Sequence, residues 1–301
     1  MGSGSGPRVG FERSLLDSLP DLPLPTPYTP LPRGEAFARE ENMDVRVKTW
    51  TELQEAVFAD SYREGINRFR SGFVFRGVPR ESHSLETSLQ TGGYVPHERH
   101  LLSSFRKYAL RNSVHGDWVW NWLSLAKHHG LPTRLLDWSY SPLVAMHFAT
   151  QNLKDYDEDA AIWCVDYGQT NELLPKPLRK LLSDEDVNIF TAELLNRVAS
   201  SLAEFDALSK RDFVVFFEPP SLDERIVNQF ALFSLPSSPE LQLEDLLKRR
   251  EATYRRIIIP ASLKWEVRDK LDQANVTERV LFPGLDGLSA WLKRYFANRV
   301  S

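Results

Sequence analysis

Cysteine occurs once in the 301 residues, and methionine three times. A single thiol cannot form an intrachain disulfide, and it rules out the cysteine-rich zinc frameworks. Cys164 lies within AAIWCVDY, which reads as a buried strand. There a thiol behaves as a small hydrophobe rather than a nucleophile. This usage fits a reducing, cytosolic setting. An excess of charge of one sign is also lacking: 37 Lys and Arg against 41 Asp and Glu leave a formal net charge of -4. That is not the balance of a generally basic nucleic-acid binder, although a local basic stripe would survive the average. No apolar run approaches the ~20 residues of a membrane-spanning helix, so no membrane partner is expected. The GxSxG, Walker A, GxGxxG and HExxH patterns are all missing, which removes the usual hydrolase, nucleotide and zinc signatures.

What is present begins with core material: 42% hydrophobic residues and eight Trp. The opening MGSGSG resembles a cloning remnant. Residues 17–33, DSLPDLPLPTPYTPLPR, hold six prolines. Such a stretch is extended, as a tether or as an arm lying on the domain. Residues 1–44 are therefore expected to be an N-terminal arm, and residues 45–301 one folded domain.

The first strong helix signal is TELQEAVFADSYREGINRFR, with Thr51 and Gln54 fitting a capping box. FVF at 73–75 reads as a short strand stopped by Arg76-Gly77. Helices are expected over 98–111 and 117–129, the second capped by Asp117 and closed by Gly130. Ser141-Pro142 supplies an N-cap and an N1 proline for a helix over 142–153. Further on, 184–205, 261–273 and 286–298 read as helices. AAIWCV, FVVFFEPP, RIVNQFALFSL and YRRIIIP read as strands. Early helices and late strands favour an α+β domain, helix-rich in its first half and strand-rich in its second.

Between two of these helices stands HHGLPTRLLDWSYSPLVAMHFA, residues 128–149. A short connection with this much polar chemistry between rigid elements is a place to look for a site. Asp137 and Ser139 lie just ahead of a helix N-terminus, whose N–H groups can receive phosphate oxygens. Arg134 can clamp a diphosphate bidentately, or pair with Asp137 and only fix the loop. His129 adjoins the loop, while His128 suits the helix dipole. His147, inside the next helix, reads as packed or surface. Trp138 is either core or a stacking ring. Two adjacent histidines point in different directions on a helix, so no metal site is expected. The cluster Lys248-Arg249-Arg250 with Arg255 and Arg256 is a solvated face or a nucleic-acid contact.

Three pieces together resemble the FRG domain family: Phe75-Arg76-Gly77, the 128–149 segment, and the tail LFPGLDGLSAWLK at 281–293. The resemblance spans roughly residues 50–295. The chain is also similar to ADP-ribosyltransferases of the Arg-Ser-Glu kind. These carry an aromatic-Arg-Gly on the first core strand, then a serine-bearing strand entering a helix, then a glutamate on a later strand. Arg76, then Asp137-Trp138-Ser139 running into SPLVAMHFA, follow that order. Gln229 stands where the glutamate would be, with Glu224 and Glu218 ahead of it.

These resemblances imply an ADP-ribosyltransferase-like fold and NAD⁺ as co-substrate. Arg76 would hold the dinucleotide, with Gly77 clearing its approach. His129, Thr133, Arg134 and Trp138 would shape the pocket, and Ser139 would contact a ribose. Asp137 would be the catalytic acidic group and Gln229 an amide that orients the acceptor, which is a macromolecule or water. The alternative is a non-catalytic module that senses a nucleotide, nucleic acid or protein partner. In a third reading Arg76 pairs with Asp137 and only pins the loop.

Overall fold

A computed structural model of the chain describes residues 44–109, 116–221, 224–249 and 254–297. The proline-rich stretch 17–33 lies outside them.

Ten strands are described: β1 (Asp44–Arg46), β2 (Tyr62–Arg63), β3 (Arg68–Phe69), β4 (Phe73–Val78), β5 (Leu136–Ser139), β6 (Ala160–Asp166), β7 (Phe190–Thr191), β8 (Val214–Glu218), β9 (Ala231–Pro236) and β10 (Tyr254–Ile259). Eight form one mixed sheet in the order β1-β10-β6-β4-β5-β9-β8-β7, and β2 pairs with β3 in a separate hairpin. The outermost pairs, β1 with β10 and β7 with β8, are parallel, and the other sheet pairs are antiparallel. Helices pack on this single sheet, so the domain is α+β.

Strand periodicity divides the core. Val74 and Val78 of β4, Leu136 and Trp138 of β5, and Leu232 of β9 bury one face under the Leu243–Arg249 helix. The opposite face has two separate helical covers. On one side Phe73 and Phe75 of β4, with Cys164 and Ile257, meet the Trp50–Phe58, Pro142–Thr150 and Lys264–Gln273 helices. On the other side Phe217, Phe233 and Leu235 meet the Val119–His128, Lys176–Asp184, Ala192–Val198 and Leu202–Asp206 helices. β5 lies at the boundary. Its register sets Ser139 opposite Phe75 and Asp137 opposite Phe233. Asp137 therefore emerges on the two-cover face, at the seam between the helical groups.

Several expected elements hold. Cys164 is fully buried on β6, and burial pushes its thiol up to about 12. Ser141 caps the helix begun by Pro142, and Gly130 takes φ +81 just past the preceding helix.

Others are corrected. The first helix is capped by Thr49 and Glu52 rather than Thr51 and Gln54. Asp117 is not a cap; it accepts from the Trp122 indole and Arg106, and Trp118 holds the cap position. Arg76-Gly77 lies within β4 instead of stopping it. The connection 130–141 contains the strand β5. The helix expected over 184–205 is broken into two, with an additional helix, Lys176–Asp184, ahead of them. RIVNQFALFSL is not one strand: Glu224–Asn228 is helical, Phe230 turns with φ +46, and β9 begins at Ala231. No described helix is long and apolar enough to cross a membrane.

Candidate functional site

The bridge between β4 and β5 is the single pair Phe75 to Ser139. Beyond it, Arg76 spans to β5 by donating from Nη1 to the Asp137 carbonyl oxygen at 2.7 Å. The Arg76 Nε–H is buried without a partner. Desolvation lowers the pKa of Arg76 although Asp137 opposes the shift.

Gly77 has a different task from the one expected. A Cβ there would lie 1.8 Å from the carbonyl oxygen of Ala145, so its bareness admits the Pro142–Thr150 helix, not a ligand.

The Asp137 side chain is 53% exposed, although Leu136 and Trp138 beside it are buried. Its Oδ2 meets Lys127 Nζ at 2.7 Å and Arg76 Nη1 at 4.0 Å. Desolvation opposes ionisation, but Lys127 and Arg76, with a smaller contribution from Arg225, outweigh it and hold the carboxyl below the usual carboxylate range. The seam thus carries one ionised carboxylate among three cations. Lys127 and Arg225 were missed from sequence. Lys127 immediately precedes the two histidines in the last turn of its helix, a signal that was available. Nothing local marks Arg225.

Ser139 donates to the Gln229 carbonyl oxygen at 2.7 Å and accepts from Ser141 N at 2.9 Å. Both contacts brace the backbone. The Gln229 amide donates to the Leu281 carbonyl oxygen at 2.9 Å, and Asn228 donates to Val280 at the same distance. Gln229 is therefore a clasp for the tail, not an amide free to orient an acceptor. Phe282 follows, under the Arg225 guanidinium at 4.8 Å and against His147 and Phe148. The three sequence pieces thus converge. The 75–77 strand packs on the 142–150 helix, and Phe282 of the tail meets the same helix at His147 and Phe148.

Arg134 is buried, with its Nε donating to Glu98 at 2.7 Å and its Nη1 to Asp206 at 2.6 Å. A second bond to Glu98 makes that pair bidentate. Burial works against its charge, and Glu98 and then Asp206 outweigh it and raise its pKa. Arg134 therefore neither clamps a phosphate nor pairs with Asp137. Thr133 is buried and joined through its backbone to Ser88 and Leu89. Trp138 is core, its indole donating to Ser234 Oγ at 2.9 Å. His129 is exposed at the helix end, its ring beside His128. His147 is fully buried against Arg268 at 2.9 Å; burial foremost, then Arg268, pushes its pKa down to about 3.

Glu218 ends β8 and accepts from Tyr140, and Glu224 is exposed at a helix start, so neither shares a strand with Gln229. The basic cluster disperses into ion pairs: Lys248 with Glu244, Arg249 with Asp212, Arg255 with Asp60 and Arg256 with Asp44. Arg250 lies outside the described residues. A cavity of about 10 Å³ lined by Thr170, Leu173, Phe213 and Leu247 is too small for a nucleotide and away from the seam. Among the described residues no His, Cys, Asp and Glu cluster converges as a metal site would.

With the Arg-Gly strand and the 128–149 segment brought together, the comparison with known families is decisive for this part of the chain. Residues 71–158 match the model of the FRG domain. The chain carries an FRG domain. No curated protein and no solved structure matches the chain significantly. The matched FRG residues include Arg76, Lys127 and Asp137, and they end before Gln229 and the 281–293 tail.

Proposed function

We propose that the FRG domain binds a phosphate-bearing dinucleotide of the NAD⁺ class at the Asp137 seam and transfers its ADP-ribose to a macromolecule or to water. The observation that supports this reading is the half-exposed Asp137 carboxylate, kept ionised by Lys127, Arg76 and Arg225. Three cations against one carboxylate leave two positive charges uncompensated, which suits a diphosphate. Arg76 and Arg225 present guanidinium forks to phosphate oxygens and Lys127 a point charge.

Asp137 then does the chemistry. Breaking the bond between nicotinamide nitrogen and ribose C1′ sends the electron pair to the leaving nicotinamide and builds positive charge on the ribose. A fixed carboxylate stabilises that charge, and an acceptor oxygen attacks C1′ and releases its proton to solvent. Scaffold residues hold the groups: Ser139 and Gln229 brace β5, and Gly77 lets the following helix close. The cytosolic setting belongs to the same proposal, supported by the single, buried Cys164.

A second reading is a sensor that binds without turnover. Its motive is the 2.7 Å contact by which Lys127 already occupies one Asp137 oxygen. Nicotinamide release from NAD⁺ by the full chain separates the two. Asp137→Asn should lower turnover by at least ~100-fold in a folded protein, the scale of one lost electrostatic contact. Undiminished turnover in Asp137→Asn would refute the assigned role. Binding by the wild type without release would leave the sensor.

A further inference from the structure

The hairpin β2–β3 stands apart from the sheet and from the seam. Residues 64–70 are all exposed, and the hairpin buries no side chain in the core. Such a ribbon is marginal by itself. Yet it displays Tyr62, Ile66 and Phe69, the last 69% exposed, with Phe58 exposed beside it. The Tyr62 and Phe69 rings pack across the strands at 5.1 Å with their planes tilted by 59°, and the Tyr62 hydroxyl is held by Asn67. The two rings are thus an aromatic pair open to solvent.

The same ribbon concentrates positive charge. Its register sets Arg63 directly opposite Arg68, and Arg70 follows. Like charges opposite one another destabilise a strand pair. Arg63 donates to the Arg70 carbonyl at 3.1 Å and Arg70 to the Phe69 carbonyl at 2.9 Å, so backbone braces these guanidiniums. Asp60 is engaged by Arg255 at 2.7 Å, and Asp166 faces Arg63 from the domain side. Glu64 is the acid on the ribbon itself.

Exposed rings and opposed arginines cost the folded protein stability and return no packing in the core. We infer that this hairpin is a docking surface for single-stranded nucleic acid, with Arg63, Arg68 and Arg70 on phosphates and Tyr62 and Phe69 stacking on bases. The charge complementarity selects a polyanion. Flat ring faces beside guanidiniums, which both fork to phosphate and stack, select unpaired bases over a lipid surface.

The test is fluorescence anisotropy of labelled 15-mer dT and rU oligonucleotides with the full chain, beside sedimentation with phosphatidylserine vesicles. Three phosphate contacts give a slope of log K on log salt near -2 for a single strand, so affinity should fall about 16-fold between 50 and 200 mM salt. Phe69→Ala should weaken binding roughly 10-fold, within the range for one lost stacked base. Arg68→Glu with Arg70→Glu should remove binding. These side chains are exposed, so both variants should melt like the wild type; if the double variant does not, Arg68→Ala with a slope reduced by about 0.7 serves instead. The inference is overturned by absence of oligonucleotide binding at 50 mM salt, by binding that ignores these substitutions, or by hairpin-dependent binding to vesicles alone.

Discussion

Replacing Arg134 separates scaffold from site, because its guanidinium was a candidate phosphate clamp and is instead the centre of a buried ionic cluster. Arg134→Ala removes both bonds to Glu98 and those to Asp206 and Pro236. The two acids fare differently. The Asp206 side chain is 26% exposed and water takes over part of its solvation, whereas Glu98 is 5% exposed and is left as an uncompensated buried charge. Breaking a buried pair from one side costs roughly 3–5 kcal/mol. For a domain of this size, at about 2–4 °C per kcal/mol, the melting temperature should fall by roughly 6–20 °C. Urea unfolding gives the same quantity at constant temperature. Arg134→Met with Glu98→Gln should recover part of the loss, because only the partly exposed Asp206 charge remains, and Asp206→Asn alone should cost less than Arg134→Ala. An Arg134→Ala protein within about 1 kcal/mol of wild type that has lost ligand affinity would refute the reasoning and restore the clamp.

Gly77→Ala should destabilise by at least about 1–3 kcal/mol, read as a lower urea midpoint, because its methyl meets the Ala145 carbonyl at 1.8 Å. His147 is buried neutral, with its pKa depressed to about 3 from an unfolded value near 6.5. The unfolded chain therefore binds the proton first. This contribution to stability is whole above pH 6.5 and is lost as pH falls from 6.5 toward 3, by about 2 kcal/mol at pH 5. His147→Gln should flatten that portion of a urea-unfolding pH series. Cys164, its thiol pushed up to about 12 by burial, should react with a disulfide reagent only at the rate of unfolding; prompt native labelling would contradict its placement.

Local signals read correctly where local forces decide. Ser141-Pro142 carries its own cap and fixed φ, Gly130 its own left-handed turn, and AAIWCV its own apolar run. The failures share a cause. Gly77 looked like a strand stop because glycine punctuates sequence, but its reason is a helix almost 70 residues further along the chain. RIVNQFALFSL has strand composition throughout, yet the helix end at Asn228 and the turn at Gln229 are clasped by carbonyls 52 residues away. Arg134 found its partners 36 and 72 residues away, so three-residue spacing to Asp137 was no guide. Of the candidate site, Arg76 and Asp137 were legible because the motif names them. Arg225 was not, since only the fold carries it to the seam.

The central claim rests on Arg76 and Asp137 as a ligand-facing pair, and calorimetric titration of NAD⁺ and ADP-ribose into the full chain and into Arg76→Ala tests it most directly. Saturable binding by the wild type is the expected result. In Arg76→Ala, loss of a charge-assisted contact worth about 1.5–3 kcal/mol should weaken affinity roughly 10- to 150-fold. Unfolding stability should remain within about 1 kcal/mol, since Lys127 still neutralises Asp137. No binding of either compound by the wild type, together with a stability loss of roughly 3–5 kcal/mol in Arg76→Ala, would contradict the account and leave Arg76 as a buried strut between β4 and β5.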